Sequence, residues 1–306
     1  MLYESTLDAI GNTPLLKLKK MGGEDMADIY AKFEAVNIGG SIKTRTAFNM
    51  IEEAERQGLL NRNSLIVECT SGNQGIALAM IGAIKGYRVI IVMPDSVSVE
   101  RRKLIEMYGA KIRLVHDEGN IGACIEKCQQ IVNNSAKEDP FVFVPGQFDN
   151  PANVAAQRQT GEEIVRDLKD IDGFCSGIGT GGTLTGIGQV LKENNPAITI
   201  WAVEPENAAI LSGKQIGTHL QMGIGDGVIP SILDQQIYDD ICIISDEEAL
   251  ATAKELARKE GLLCGISSGT NVAAAIRLAR KLGKGKKVVT ILPDTGERYY
   301  STPLFD

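Results

Sequence analysis

Short apolar, β-rich runs alternate with helix-like stretches along most of this 306-residue chain, and that alternation restricts the fold more than any other feature. Parallel strands need long crossovers, usually helices, so a repeated β-α order points to the α/β class. Leu65 to Cys69 reads as a strand, the turn Thr70 to Asn73 follows, and Gly75 to Lys85 is patterned as a helix ending at Gly86. Arg88 to Met93 is the next strand. Lys111 to Val115, Phe141 to Val144, Gly173 to Ile178, Ile198 to Val203 and Lys287 to Leu292 continue the series. The length exceeds that of a typical single domain and predicts two lobes with a site between them. Pro140 and the stretch Pro145 to Asn153, rich in Gly, Pro, Asn and Asp, put the boundary near residue 145. Residues 1–145 are then an N-terminal lobe and 146–306 a C-terminal one.

Charge and rare residues remove several function classes. A net charge of -7 argues against a nucleic-acid surface, which draws on clustered Lys and Arg. No run approaches the roughly 18 consecutive apolar residues of a membrane span. Met1 to Pro14 has no cationic and apolar leader, so the chain is expected to be cytoplasmic. The cysteines, Cys69, Cys124, Cys128, Cys175, Cys242 and Cys264, include no C-x-x-C pair and read as reduced, mostly buried thiols. His116 and His219 are far apart, which leaves no metal site and little for a catalytic triad. Small-molecule chemistry remains.

Three segments carry that chemistry. Gly177 to Gly186, reading G-I-G-T-G-G-T-L-T-G, leaves a strand and enters a helix, so backbone N–H groups can converge on an anion at the positive helix end. It reads as a phosphate cradle. A dinucleotide is a rival ligand, because Glu204 ends the following strand where a ribose-binding acid would sit, although the glycines are not spaced G-x-G-x-x-G. Thr70 to Gly75 is a second strand-to-helix turn, whose hydroxyls, amide and N–H groups suit a carboxylate. In Asn37 to Arg45 a glycine turn precedes a capping Ser41 and places Lys43 in the first turn of a helix running to about Arg56. A cation at the positive helix end, partly buried, is pushed toward the neutral amine needed for a Schiff base.

With these motifs in hand the chain resembles the cysteine synthase and cystathionine β-synthase family of fold type II pyridoxal phosphate enzymes. The match runs end to end: N-x-x-G-S-I-K at 37–43, T-S-G-N at 70–73, G-Q-F-D-N-P-A-N at 146–153, G-T-G-G-T at 179–183, G-I-S-S-G at 265–269 and P-D-T-G-E-R-Y at 293–299. The resemblance implies two lobes, each a mostly parallel twisted sheet flanked by helices. About 36–145 would be the smaller, moving part, with the first strand packing on the other lobe. It also implies a homodimer and a pyridoxal 5'-phosphate cofactor. By the same resemblance Lys43 forms the internal aldimine, Gly179, Thr180, Gly181, Gly182 and Thr183 bind the phosphate, Asn73 bonds the phenolic oxygen and Ser267 partners the pyridine nitrogen. A neutral hydroxyl there makes the cofactor a moderate electron sink, which suits β-chemistry. Thr70, Ser71, Asn73 and Gln147 would grip the substrate α-carboxylate as the small lobe closes.

The implied reaction is β-replacement at a small β-substituted L-alanine through an aminoacrylate, with Lys43 moving the Cα proton. Where cysteine synthases usually have proline, aspartate, threonine and a small apolar residue, this chain has Ile38, Thr44, Gln74 and Asp226. If Asp226 faces the site, its carboxylate would repel hydrosulfide yet accept a proton from a thiol or water. Two enzyme readings follow: L-cysteine from O-acetyl-L-serine and sulfide, or hydrogen sulfide release from L-cysteine with water or a thiol replacing it. Asp226 favours the second. An NAD-dependent oxidoreductase, or a non-catalytic protein that only binds pyridoxal phosphate, stands as the alternative from another class.

Overall fold

The computed structural model describes residues 2–116, 122–135 and 141–306. Pro140, half of the boundary signal, lies outside them. Strands β1 (Leu15–Lys17) and β2 (Asp28–Phe33) precede helix α1 (Lys43–Arg56). An alternating run follows: β3 (Leu65–Cys69), α2 (Asn73–Lys85), β4 (Arg88–Pro94), α3 (Val99–Met107), β5 (Lys111–Val115), α4 (Gly122–Ser135) and β6 (Val142–Phe143). The rest is α5 (Pro151–Asp167), β7 (Gly173–Gly177), α6 (Gly182–Asn194), β8 (Thr199–Pro205), β9 (Asp240–Ile244), α7 (Asp246–Glu255), α8 (Ile266–Leu282) and β10 (Lys287–Leu292).

The strands form a four-stranded sheet in the order β5-β4-β3-β6 and a six-stranded sheet in the order β1-β2-β10-β7-β8-β9. Every pairing is parallel except β1 with β2. Strand β3 is buried along its whole length, as a central parallel strand covered on both faces must be. The edge strand β5 instead exposes Lys111 and Arg113, charges that discourage further pairing. Both β1 and β2 join the six-stranded sheet, where Ile29 and Ala31 of β2 enter the core packed by α7 and α8. Among the described residues no helix is long and apolar enough to cross a membrane. All six cysteines are buried thiols.

Local differences from the sequence reading have local causes. The helix expected from Gly75 begins at Asn73, because Gly72 takes φ +144° and turns the chain directly into it. Ser41 does not cap α1. The N-cap is Ile42, and Ser41 is held in an isolated antiparallel bridge to Asp294, which leaves its hydroxyl buried with no partner among the described residues.

Candidate active site

Parallel sheets gather their strand ends and the following helix N-termini on one side, and the predicted residues come from such ends. Lys43 opens α1, Thr70 to Asn73 link β3 to α2, Gly177 to Thr183 link β7 to α6, and Ser267 lies in the first turn of α8. One cavity is lined by Lys43, Asn73, Gly179, Thr180, Gly181, Thr183 and Ser267. An adjoining cavity, sharing Lys43, Asn73 and Thr180, is lined by Thr70, Ser71, Gln74, Gln147 and Asp226. Gly182 alone of the predicted set stands behind the first cavity, where a Cβ would come 2.3 Å from Asn153 Oδ1.

The glycines of the cradle are required by close approach. A Cβ on Gly179 would come 2.4 Å from the carbonyl oxygen of Gly223 and 3.3 Å from Asp226 Oδ2. Gly181 sits at φ +79°, a left-handed conformation that favours glycine. These contacts lay the 222–230 loop, and with it Asp226, against the cradle. His219 braces that loop: its Nδ1 accepts from Gln221 N–H at 3.1 Å, so Nε2 carries the proton and donates to the Gly225 carbonyl at 3.1 Å.

Electrostatics favour neutral forms at the centre. Burial, the largest influence on both groups, pushes the Lys43 ammonium down and the Asp226 carboxyl up from their usual ranges. Their mutual attraction opposes both shifts, helped by Asp294 at the lysine.

Several neighbours were not singled out from sequence. Asn153 donates to Thr180 Oγ1 and to the Gln147 carbonyl, both at 2.9 Å, and so ties the two cavities together. Gln147 in turn donates to the Cys69 carbonyl at 3.2 Å. Asp294 accepts from Asn73 Nδ2 at 2.7 Å and from the Tyr299 hydroxyl at 2.8 Å. The motifs 146–153 and 293–299 had marked these places without separating contact residues from neighbours. Glu204 does not serve a ribose here: its carboxylate, nearly buried, accepts Leu211 N–H at 2.8 Å, Ser212 N–H at 3.2 Å and the Ser212 hydroxyl at 2.9 Å. It anchors the loop after β8.

A lysine pushed toward the free amine suits an aldehyde, helix-end N–H groups beside bare glycines suit its phosphate, and the Ser267 hydroxyl suits a ring nitrogen. The residues therefore fit the cofactor inferred from the motifs, and fold and site together define a fold type II pyridoxal phosphate enzyme. Residues 6–294 match the model of the pyridoxal-phosphate dependent enzyme family, and the chain belongs to that family. It is 46% identical over 299 residues to a cysteine synthase of Staphylococcus aureus, covering 97% of this chain and 95% of that one. The crystal structure of a hydrogen sulfide-producing enzyme from Fusobacterium nucleatum superposes with a TM-score of 0.92 at 42% identity, covering 97% of this chain and all of the other. A second hydrogen sulfide-producing enzyme, crystallised as an Asp-to-Asn variant with an α-aminoacrylate intermediate, gives 0.90 at 41% identity, covering 97% and 90%.

Proposed function

We propose that the protein catalyses β-replacement on L-cysteine, releasing hydrogen sulfide and adding water or a thiol in its place. The observation that carries this reading is the Asp226 carboxyl in one cavity with Lys43, Thr70, Ser71 and Gln147. Pyridoxal phosphate, when bound, supplies the electron sink that acidifies the substrate Cα–H and lets the β-substituent depart. Thr70, Ser71 and Gln147, with the backbone N–H of Asn73 and the N-terminus of α2, bind the α-carboxylate and orient the Cα–H bond. Lys43 Nζ takes the Cα proton and later returns it, a role that its lowered pKa serves. Asp226, whose carboxyl burial pushes up, can take a proton from the incoming water or thiol. The small, enclosed cavities exclude bulk water around these transfers.

The sulfide-producing relatives support this reading, and the Staphylococcus cysteine synthase supports a second one, L-cysteine formation from O-acetyl-L-serine and sulfide. The holoenzyme is given L-cysteine in one assay and O-acetyl-L-serine with sulfide in another, and sulfide, serine, lanthionine and cysteine are quantified. The proposal expects sulfide to be released from L-cysteine together with serine or a thioether. Fast cysteine synthesis without sulfide release would replace it with the second reading.

A further inference from the structure

Asn73 meets two side chains of opposite hydrogen-bonding character, and neither was assigned a role from the motifs. Its Nδ2 donates to Asp294 Oδ2 at 2.7 Å, and its Oδ1 accepts from Arg298 Nη1. Arginine has no acceptor, so it fixes which end of the amide is oxygen, and the carboxylate selects the other end as NH2. Both partners are themselves held. Arg298, nearly buried, also donates to the Gly39 carbonyl. Asp294, fully buried, receives the Tyr299 hydroxyl at 2.8 Å and has Arg101 Nη2 at 3.7 Å. One Nδ2–H of Asn73 is left, and Asn73 borders both cavities.

We propose that Asp294 and Arg298 are positioning residues that lock the Asn73 amide so that it presents an N–H, never a carbonyl, to the anionic phenolic oxygen of the cofactor. The inference rests on the pyridoxal phosphate reading and deepens it. An amide turned the other way would set two oxygens against each other in a site from which water is excluded. The orientation therefore governs both cofactor affinity and the electronic state that its absorption reports.

The test uses purified apoprotein titrated with pyridoxal phosphate, recording the dissociation constant, the visible spectrum and the melting temperature of each variant. Asp294→Ala and Arg298→Met should each weaken binding by about ten- to a hundredfold, the range for losing a hydrogen bond to a charged group, and should shift the visible band. Asp294→Asn and Arg298→Lys, which can keep the acceptor and the donor, should restore most of both. Because the first pair can fail to fold, the exchange Asn73→Asp with Asp294→Asn is the second arm. It retains bonds among the three side chains but turns an oxygen toward the cavity, so a folded protein with weak binding and an altered band is expected. Wild-type affinity and spectrum in the folded exchange variant, or in folded Asp294→Ala and Arg298→Met, would overturn the clamp. Wild-type protein that never acquires the visible band would instead overturn the cofactor reading itself.

Discussion

In the proposed reaction Asp226 is the residue on which substrate choice turns, since Lys43 and the cradle would serve either reaction equally. Asp226→Asn keeps the shape of the side chain and loses its basicity. It is expected to release sulfide from L-cysteine in a first turnover and then to slow by roughly 10²- to 10⁴-fold, the usual worth of a general acid–base group. Stopped-flow spectroscopy with a parallel sulfide assay checks this, and wild-type turnover would reduce Asp226 to a loop acid. Thr183 tests the cradle in the same way. Thr183→Val is nearly isosteric and removes one hydroxyl donor, so pyridoxal phosphate should bind about tenfold more weakly without loss of fold. Equilibrium titration of the apoprotein decides it. His219, read from sequence only as lacking a ligand partner, turns out to be legible in role through both ring nitrogens. Nothing in its sequence neighbourhood marks that, because its partners are backbone groups brought near by the turn.

Strand β3 shows how an element can be read correctly and still hide its chemistry. Its run Leu65 to Cys69 is placed correctly by apolar patterning, yet Glu68 within it is buried and accepts N–H bonds from Cys69 and Gly146, both at 3.1 Å. Burial pushes the Glu68 carboxyl up to about 8, outweighing those N–H groups. A carboxyl raised in the fold favours the native state fully below its unfolded value of about 4.5 and loses that contribution as pH rises through about 8. Wild-type stability should therefore decline over that interval, and Glu68→Gln should flatten the decline. Urea midpoints at several pH values measure the slope. An unchanged slope in the variant would place the pH dependence elsewhere. The same bonds tie the Gly146–Gln147 turn to the end of β3, which delivers Gln147 beside Thr70 and Ser71.

At the scale of the whole molecule, α1 has to hold Lys43 against both sheets. Its apolar face packs Ala47, Ile51 and Ala54 with the four-stranded sheet. Its buried Arg45 reaches the other way, to Glu34 at 2.9 Å and to Glu163 of α5 at 2.6 Å, while Lys32 of β2 meets Glu163 at 2.7 Å. Arg45→Met leaves Glu34 without its cation and Glu163 with Lys32 alone, and should destabilise the protein by about 3–5 kcal/mol, read by chemical denaturation. Burial alone would raise Glu163, but Arg45, Lys32 and the Asn12 N–H hold it at about 2. That contribution is present above about 4.5 and lost as pH falls toward about 2, so the Arg45→Met penalty should shrink in acid. A penalty independent of pH would show that packing by the arginine stem, not charge, carries the effect.

Local information was enough for most of the strands, because their cores are nearly continuous apolar runs bounded by glycine and proline, and for the two strand-to-helix turns at 70–75 and 177–186, because glycine spacing at such a junction is a local signal. That Lys43 and Ser267 would line one cavity was legible through motifs in register along the chain. What sequence could not supply were relations between residues far apart in it. The pairing of β2 with β10 depends on which face each lobe has left to bury. Asn73 is locked by Asp294 and Arg298 across more than two hundred residues. Gly265 must be glycine because a Cβ there would come 2.1 Å from Asp294 Oδ1, so two motifs that read as separate are one packed unit. Patterning and turn chemistry act over a few residues and are written in order, whereas burial, desolvation and charge pairing act through space, and only the folded chain brings those partners within reach.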